Sequence, residues 1–221
     1  REISGRFDWW SEGKGKLAGR VSQFNLPAAD VSTLTTTTAS ELDQLPALDL
    51  TFDRFVAMGR DFGELKLSAE NKAGVWLSKF NVQNEDGSLS GDARWKPDAS
   101  APDTAVDFKL KARSIEKFLD RMGYANAVRR GNATLEGQLS WNGAPYALDY
   151  PSLNGHLKID ARDGQFRKLE PGVGRLLGVI SLQSLPRRVT LDFRDVFSEG
   201  FAFDAIEGSA RVSRGILETD D

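Results

Sequence analysis

Residues 169–215 read LEPGVGRLLGVISLQSLPRRVTLDFRDVFSEGFAFDAIEGSARVSRG. Pro171 suits the first turn of a helix, where its missing N–H removes no hydrogen bond. Apolar residues then recur at the spacing of one helix face, at Val173, Leu176, Leu177 and Ile180. Beyond Pro186 every second residue is apolar instead, at Val189, Leu191, Phe193, Phe201 and Phe203. The stretch predicts a short apolar helix over residues 172–185, set between strands that have one apolar face.

The same two-residue alternation runs through most of the chain upstream and predicts about a dozen antiparallel strands. Polar side chains occupy the intervening positions and are expected to face solvent. The apolar positions are Leu50, Phe52, Leu65, Leu67, Leu89, Trp95, Val106, Phe108, Leu110, Leu135, Leu139, Trp141, Leu157 and Ile159. A further strand is predicted over residues 146–150.

Two segments interrupt the alternation. Residues 27–46 are rich in Thr, Ala and Ser and poor in large apolar side chains, which predicts a flexible loop. Ser114 is a suitable N-cap for the apolar stripe of Ile115, Phe118 and Leu119, so the pattern predicts a second short helix over residues 114–122.

Glycines recur in the middle of the predicted strands, on the apolar face. The central residues of these apolar-x-Gly-x-apolar motifs are Gly19, Gly91, Gly137, Gly155 and Gly208. Glycine inside a strand marks a bend, a bulge or the close approach of another group. Two interpretations follow: the glycines let the sheet curve, or they leave room for a ligand.

Two short helices cannot cover the apolar face of a dozen strands. A helix of about 14 residues is only about 20 Å long. The sheet must therefore cover itself, as a sandwich, a barrel or a folded groove. A sandwich has a filled core and a groove keeps room for a ligand, and the alternation of residues does not distinguish between them.

Composition and charge exclude several classes of function. The 221 residues carry a formal net charge of −3, which disfavours a nucleic-acid partner. The chain has no cysteine and one histidine, His156, on the polar side of a strand, so neither a catalytic site nor a metal site is predicted. No cofactor is expected. The chain lacks a run of 18 apolar residues and opens in strand-like sequence, which suggests a fragment of a longer protein.

The segments PGVGRLLGVISLQSLPRRVTLDFRDVF and GFAFDAIEG resemble the C-terminal region of the large AsmA-like proteins of Gram-negative bacteria, the YhdP type. Weaker similarity covers most of the chain. The resemblance implies that residues 1–221 form one mainly β segment, an elongated, curved antiparallel sheet folded into a hydrophobic groove. It also implies a bridge-like lipid transport protein in the periplasm, tethered to the inner membrane by an anchor outside this fragment.

Two functions stay open on these grounds. The first is a lipid-conducting segment that shields phospholipid acyl chains between the inner and outer membranes, with phospholipid and the flanking segments of the same chain as its partners. Its lining would be the apolar strand positions named above, and the helix of residues 172–185 would be plain core, plug or gate. The second is a filled β-domain that acts as a spacer or as a partner-docking module in envelope assembly.

Overall fold

The computed structural model describes residues 5–26, 45–57, 59–97, 103–167 and 200–219. These residues form a single sheet of twelve strands. The strands are β1 (Gly5–Trp10), β2 (Lys16–Val21), β3 (Phe24–Leu26), β4 (Ala47–Ala57), β5 (Arg60–Lys72), β6 (Val75–Gln83), β7 (Gly87–Lys96), β8 (Asp103–Ala112), β9 (Val128–Asn142), β10 (Asn154–Phe166), β11 (Ala202–Ser213) and β12 (Ile216–Thr219). The predicted mainly β fold is confirmed.

The strands follow one another across the sheet in chain order, and β1 and β12 lie at its two edges. From β4 to β12 every pairing is antiparallel, as predicted. The expectation of an entirely antiparallel sheet is wrong at one place, because β2 and β3 both pair with β4 in parallel. The alternation of side chains shows which face of the sheet each residue occupies, but not whether neighbouring strands run parallel or antiparallel. Parallel strands need a crossover connection, and the connection before β4 is long enough for one.

The short helix predicted over residues 114–122 is present as α1 (Ile115–Arg121), and the Ser114 side chain accepts a hydrogen bond from the Lys117 N–H. The apolar helix predicted over residues 172–185 lies outside the described residues, as does most of the loop predicted over residues 27–46.

The strand predicted over residues 146–150 is wrong. Turns occupy this region, followed by a 3₁₀ turn at Tyr150–Ser152. Pro145 and Pro151 flank it, and a proline cannot donate a ladder hydrogen bond.

Two groups of buried apolar side chains lie within the described part of the chain. One brings together Val21, Phe52, Leu65 and Val82, from β2, β4, β5 and β6. The other is formed where α1 packs on the sheet, by Ile115, Ala127, Val128, Ala161 and Phe203. The helix thus covers the apolar face at one end of strands β9 to β11.

Candidate functional site

The strand register places the apolar side chains of successive strands directly beside one another, on one face of the sheet. One row runs from β1 to β11 through Phe7, Gly19, Leu50, Leu67, Phe80, Gly91, Phe108, Gly137, Leu157 and Ala210. The neighbouring rows hold Val21, Phe52, Leu65, Val82, Leu89, Leu110, Leu135 and Ile159 on one side, and Leu17, Leu48, Ala69, Ser78, Ala93, Val106 and Leu139 on the other. We call this surface the apolar face.

Most of the residues predicted to line a groove lie on this face. Those brought together from β4 to β10 are Leu50, Phe52, Leu65, Leu67, Leu89, Trp95, Val106, Phe108, Leu110, Leu135, Leu139, Trp141, Leu157 and Ile159. Phe203 is buried under α1, and Phe201 precedes β11 and is 43% exposed. Outside the described residues are Val189, Leu191 and Phe193, together with the helix positions Val173, Leu176, Leu177 and Ile180.

Phe80 and Val82 belong to the apolar face but are absent from the predicted lining. Their strand, β6, also carries Val75 and Leu77 on the opposite face, so its alternation is ambiguous. The pairing of Phe80 with Leu67 and Gly91 resolves the ambiguity. Only the partners across the sheet identify the face, and single-strand alternation does not supply them.

The apolar face is long and only partly covered. Its side chains at Leu67, Phe108, Leu135 and Leu157 are half-buried and not fully buried. Eleven strands follow one another in the sheet, so at about 4.8 Å per strand the face is about 50 Å long. The curvature of the open sheet is consistent with a groove along this face.

Rings from adjacent strands fill the space above the glycines of the apolar face. A Cβ added at Gly137 would lie 2.6 Å from both Leu157 Cδ2 and Phe108 Cε1, and one added at Gly91 would lie 2.7 Å from Phe80 Cζ. Phe7 lies similarly over Gly19. The glycines therefore admit neighbouring protein side chains, and at these three positions the space is not left open for a ligand.

One margin of the apolar face carries a row of three tryptophans and a threonine, whose side chains each have a hydrogen-bond donor. Trp76, Trp95, Thr104 and Trp141 are successive partners across β6 to β9. The Trp141 Nε1–H donates to the Ala144 carbonyl at 3.1 Å, and the Thr104 hydroxyl donates to the Gly143 carbonyl at 2.7 Å. We call these four residues the tryptophan row.

The opposite face of the sheet is polar and carries ion pairs between neighbouring strands. Lys16 contacts Asp49 at 3.0 Å, and Lys109 pairs with Glu136. Hydrogen bonding to Lys109 lowers the pKa of Glu136, and hydrogen bonding to Arg162 lowers the pKa of Asp160.

A hollow of about 650 Å³ lies mainly on this polar face. It is lined by Asp49, Ser68, Lys79, Asp92 and Asp107 among others. Burying an acyl chain there would desolvate charged groups, so the hollow is not suited to a lipid tail.

The described residues do not assemble a catalytic or metal centre. Within residues 5–26, 45–57, 59–97, 103–167 and 200–219, no three His, Cys, Asp or Glu side chains cluster as metal ligands. His156 is exposed on the polar face, between Gln138 and Arg211. Among the helices that the structure describes, none has the length and apolar character to cross a membrane.

Comparisons with known proteins agree with the resemblance in the sequence. A family model described as YhdP protein matches residues 1–221. The intermembrane phospholipid transporter YhdP of Escherichia coli (strain K12) is 31% identical over 134 residues. The match covers 60% of this chain and 11% of that relative, so the chain corresponds to a small part of the relative's length. No solved structure matches the chain significantly.

Proposed function

Because this chain belongs to the YhdP family, we propose that it is a lipid-conducting segment whose apolar face shields phospholipid acyl chains. The observation that carries the proposal is the continuity of that face, in which apolar side chains meet in register from β2 to β10. Beyond the buried group of Val21, Phe52, Leu65 and Val82, the face includes half-buried side chains at Leu67, Phe108, Leu135 and Leu157. A filled sandwich core would have buried them.

The composition of the apolar face suits a ligand that slides along it. The described residues of its three rows include no charged side chain, from Leu17 at one end to Ile159 near the other. Each CH₂ group that leaves water for such a surface gains about 0.8 kcal/mol, so a two-chain lipid prefers the face strongly over water. A uniform surface also lets the lipid advance without desolvating an unpaired polar group at any step.

The polar headgroup would remain at the wet margin of the groove while the acyl chains lie against the sheet. The curated relative is described as an intermembrane phospholipid transporter. By analogy we place this chain in the periplasm of a Gram-negative envelope, held at the inner membrane by an anchor that belongs to the longer protein. The relative's description is that of a transporter, in agreement with the prediction that the chain is not an enzyme.

A docking role is the second candidate, and the edge strand β1 favours it. Its aromatic residues are well exposed on both faces: Phe7 is 48% exposed, Trp9 58% and Trp10 49%. Unpaired strand edges with exposed apolar side chains accept a further strand. The partner would be a flanking segment of the same longer chain, which continues the sheet, or another envelope protein.

The test is mass spectrometry of organic extracts from the purified protein. We expect phospholipid to co-purify in roughly stoichiometric amount and to be displaced by a competing detergent. An extract without lipid, together with an interior packed at ordinary protein density, would overturn the lipid-conducting proposal and leave the docking role.

A further inference from the structure

Two indole N–H groups of the tryptophan row have no hydrogen-bond partner among the residues that the structure describes. Trp76 and Trp95 are direct partners across β6 and β7, and Trp76 is only 7% exposed. Both Nε1 atoms are shielded from solvent, and neither donates to an acceptor in the described part of the chain. The other two members of the row, Thr104 and Trp141, donate to backbone carbonyls. Within the described residues, the side-chain donors along this margin are therefore paired in β8 and β9 and unpaired in β6 and β7.

Buried donors without acceptors are unfavourable, and native proteins satisfy them with protein, water or ligand oxygens. Indole can only donate, so the missing group must be an acceptor. Trp95 is half-buried and contacts the Tyr146 ring edge-on at a centroid distance of 6.3 Å, so part of its ring is exposed at the surface of the sheet. An oxygen placed there would lie beside the apolar face, next to the row that contains Ala93 and Val106.

We propose that the Trp76 and Trp95 N–H groups donate to the ester carbonyl oxygen of a glycerophospholipid whose acyl chain lies on the apolar face. This inference rests on the proposed function and adds a polar subsite to it. Tryptophan suits such a boundary, because its ring packs against hydrocarbon while its N–H meets the first polar atoms of the lipid.

The charge of the tryptophan row favours an ester over a phosphate. All four side chains of the row are neutral. Asn71 of β5, which pairs with Trp76 and continues the row, is neutral too. Burying an anionic phosphate beside neutral groups leaves its charge uncompensated, whereas a carbonyl oxygen needs only the two donors. The phosphate then stays in water, one glycerol unit away from the indoles.

The experiment compares two probes on the purified protein: a diacyl phosphatidylglycerol, and its di-O-alkyl analogue, which has the same chains and headgroup but no carbonyl. Displacement of a fluorescent lipid gives the affinity for each. We expect the wild-type protein to prefer the ester lipid by about 5-fold for each N–H engaged, and the double variant W76F/W95F to lose that preference. The control Y150F removes a polar group from a side chain that is 67% exposed, lies in a turn and is not part of the apolar face, and it should keep the preference for the ester.

Equal affinity of the wild-type protein for the two lipids would overturn the subsite and leave the lipid-conducting function standing. Failure to bind either lipid would overturn both. The wild-type comparison needs no variant, so the inference stays testable even if W76F/W95F does not fold. An ester preference retained in a folded W76F/W95F would also overturn the assignment.

Discussion

At the scale of single residues, the apolar face depends on glycines that let large side chains lie across the neighbouring strand. Gly137 lies between Phe108 on β8 and Leu157 on β10, and an added Cβ would approach side-chain carbons of both to 2.6 Å. Phenylalanine rings that cover cross-strand glycines are a known device for holding the register of a sheet.

We expect the substitution Gly137→Ala to destabilise the protein by about 1–3 kcal/mol, because the methyl group displaces packed side chains. Urea denaturation measures the change. The matched control is Gln138→Ala, the next residue on the exposed polar face, which should alter stability by less than about 0.5 kcal/mol. A Gly137→Ala protein as stable as the wild type would mean that the space above this glycine is empty.

The ionisation of Asp61 makes the stability of the fold depend on pH in the acid range. Arg54 Nε donates to its Oδ2 at 2.7 Å and the Gly63 N–H donates to its Oδ1 at 2.9 Å, and these hydrogen bonds lower the pKa of Asp61, the Arg54 bond most strongly. A carboxyl whose pKa is lower in the folded state stabilises the fold above its unfolded pKa of about 3.9, and the contribution disappears as the pH falls through the folded pKa.

We therefore expect Arg54→Gln to raise the pKa of Asp61 and to make the loss of stability below about pH 4 shallower. NMR titration of the carboxyl and urea denaturation at several pH values measure the two effects. Lys79→Gln removes an equal charge from an exposed pair with Asp92 and should leave the Asp61 titration unchanged. An Asp61 that titrates at its ordinary pKa in the wild-type protein would contradict the prediction.

At the scale of elements, a buried ion pair attaches α1 to the sheet. Arg121 Nε donates to Asp86 Oδ2 at 3.1 Å, and its Nη1 donates to the Asp61 carbonyl at 2.9 Å. The Asp86 side chain is 4% exposed and that of Arg121 is 25% exposed. The turn between β6 and β7 thus supplies the carboxylate that holds the C-terminal end of the helix.

Removing Asp86 leaves the partly buried guanidinium of Arg121 with the Asp61 carbonyl and the more exposed Glu85 carboxylate, 3.9 Å away, so we expect Asp86→Ala to cost about 3 kcal/mol of stability. Asp92→Ala breaks the pair with Lys79, in which both side chains are mostly exposed, and should cost less than about 1 kcal/mol. Thermal or urea unfolding compares them. Similar losses from both variants would show that the Asp86–Arg121 pair does not anchor the helix.

Elements were predictable from the sequence where local pattern and local chemistry agree. The Ser114 cap placed α1, and strict alternation placed β4, β8 and β9. The parallel pairing of β2 with β4 was not predictable, because chain direction depends on the path of the connection and not on side chains. The strand expected over residues 146–150 is absent because the flanking prolines cannot donate ladder hydrogen bonds, and the prediction gave more weight to the apolar side chains between them. One of these side chains, Tyr150, is 67% exposed.

At the scale of the whole molecule, the sequence predicted which strand residues share the apolar face but not which of their polar atoms lack partners. Leu50, Phe108 and Leu139 could be assigned from alternation alone, and the register places them together. Alternation could not predict that the indole N–H groups of Trp76 and Trp95 lack acceptors among the described residues. Whether a donor is paired depends on the cross-strand neighbours and on turns such as the one that carries Ala144.

The central claim is that phospholipid lies on the apolar face and not elsewhere on the protein. Leu139 and Gln138 are consecutive in β9, so their side chains point to opposite faces; Leu139 is half-buried and Gln138 is exposed. A photoreactive benzoylphenylalanine can replace each in turn, and mass spectrometry can identify the adducts formed on illumination in cells. We expect phospholipid adducts at position 139 and none at position 138. Equal labelling at both positions, or adducts at position 138 alone, would contradict it.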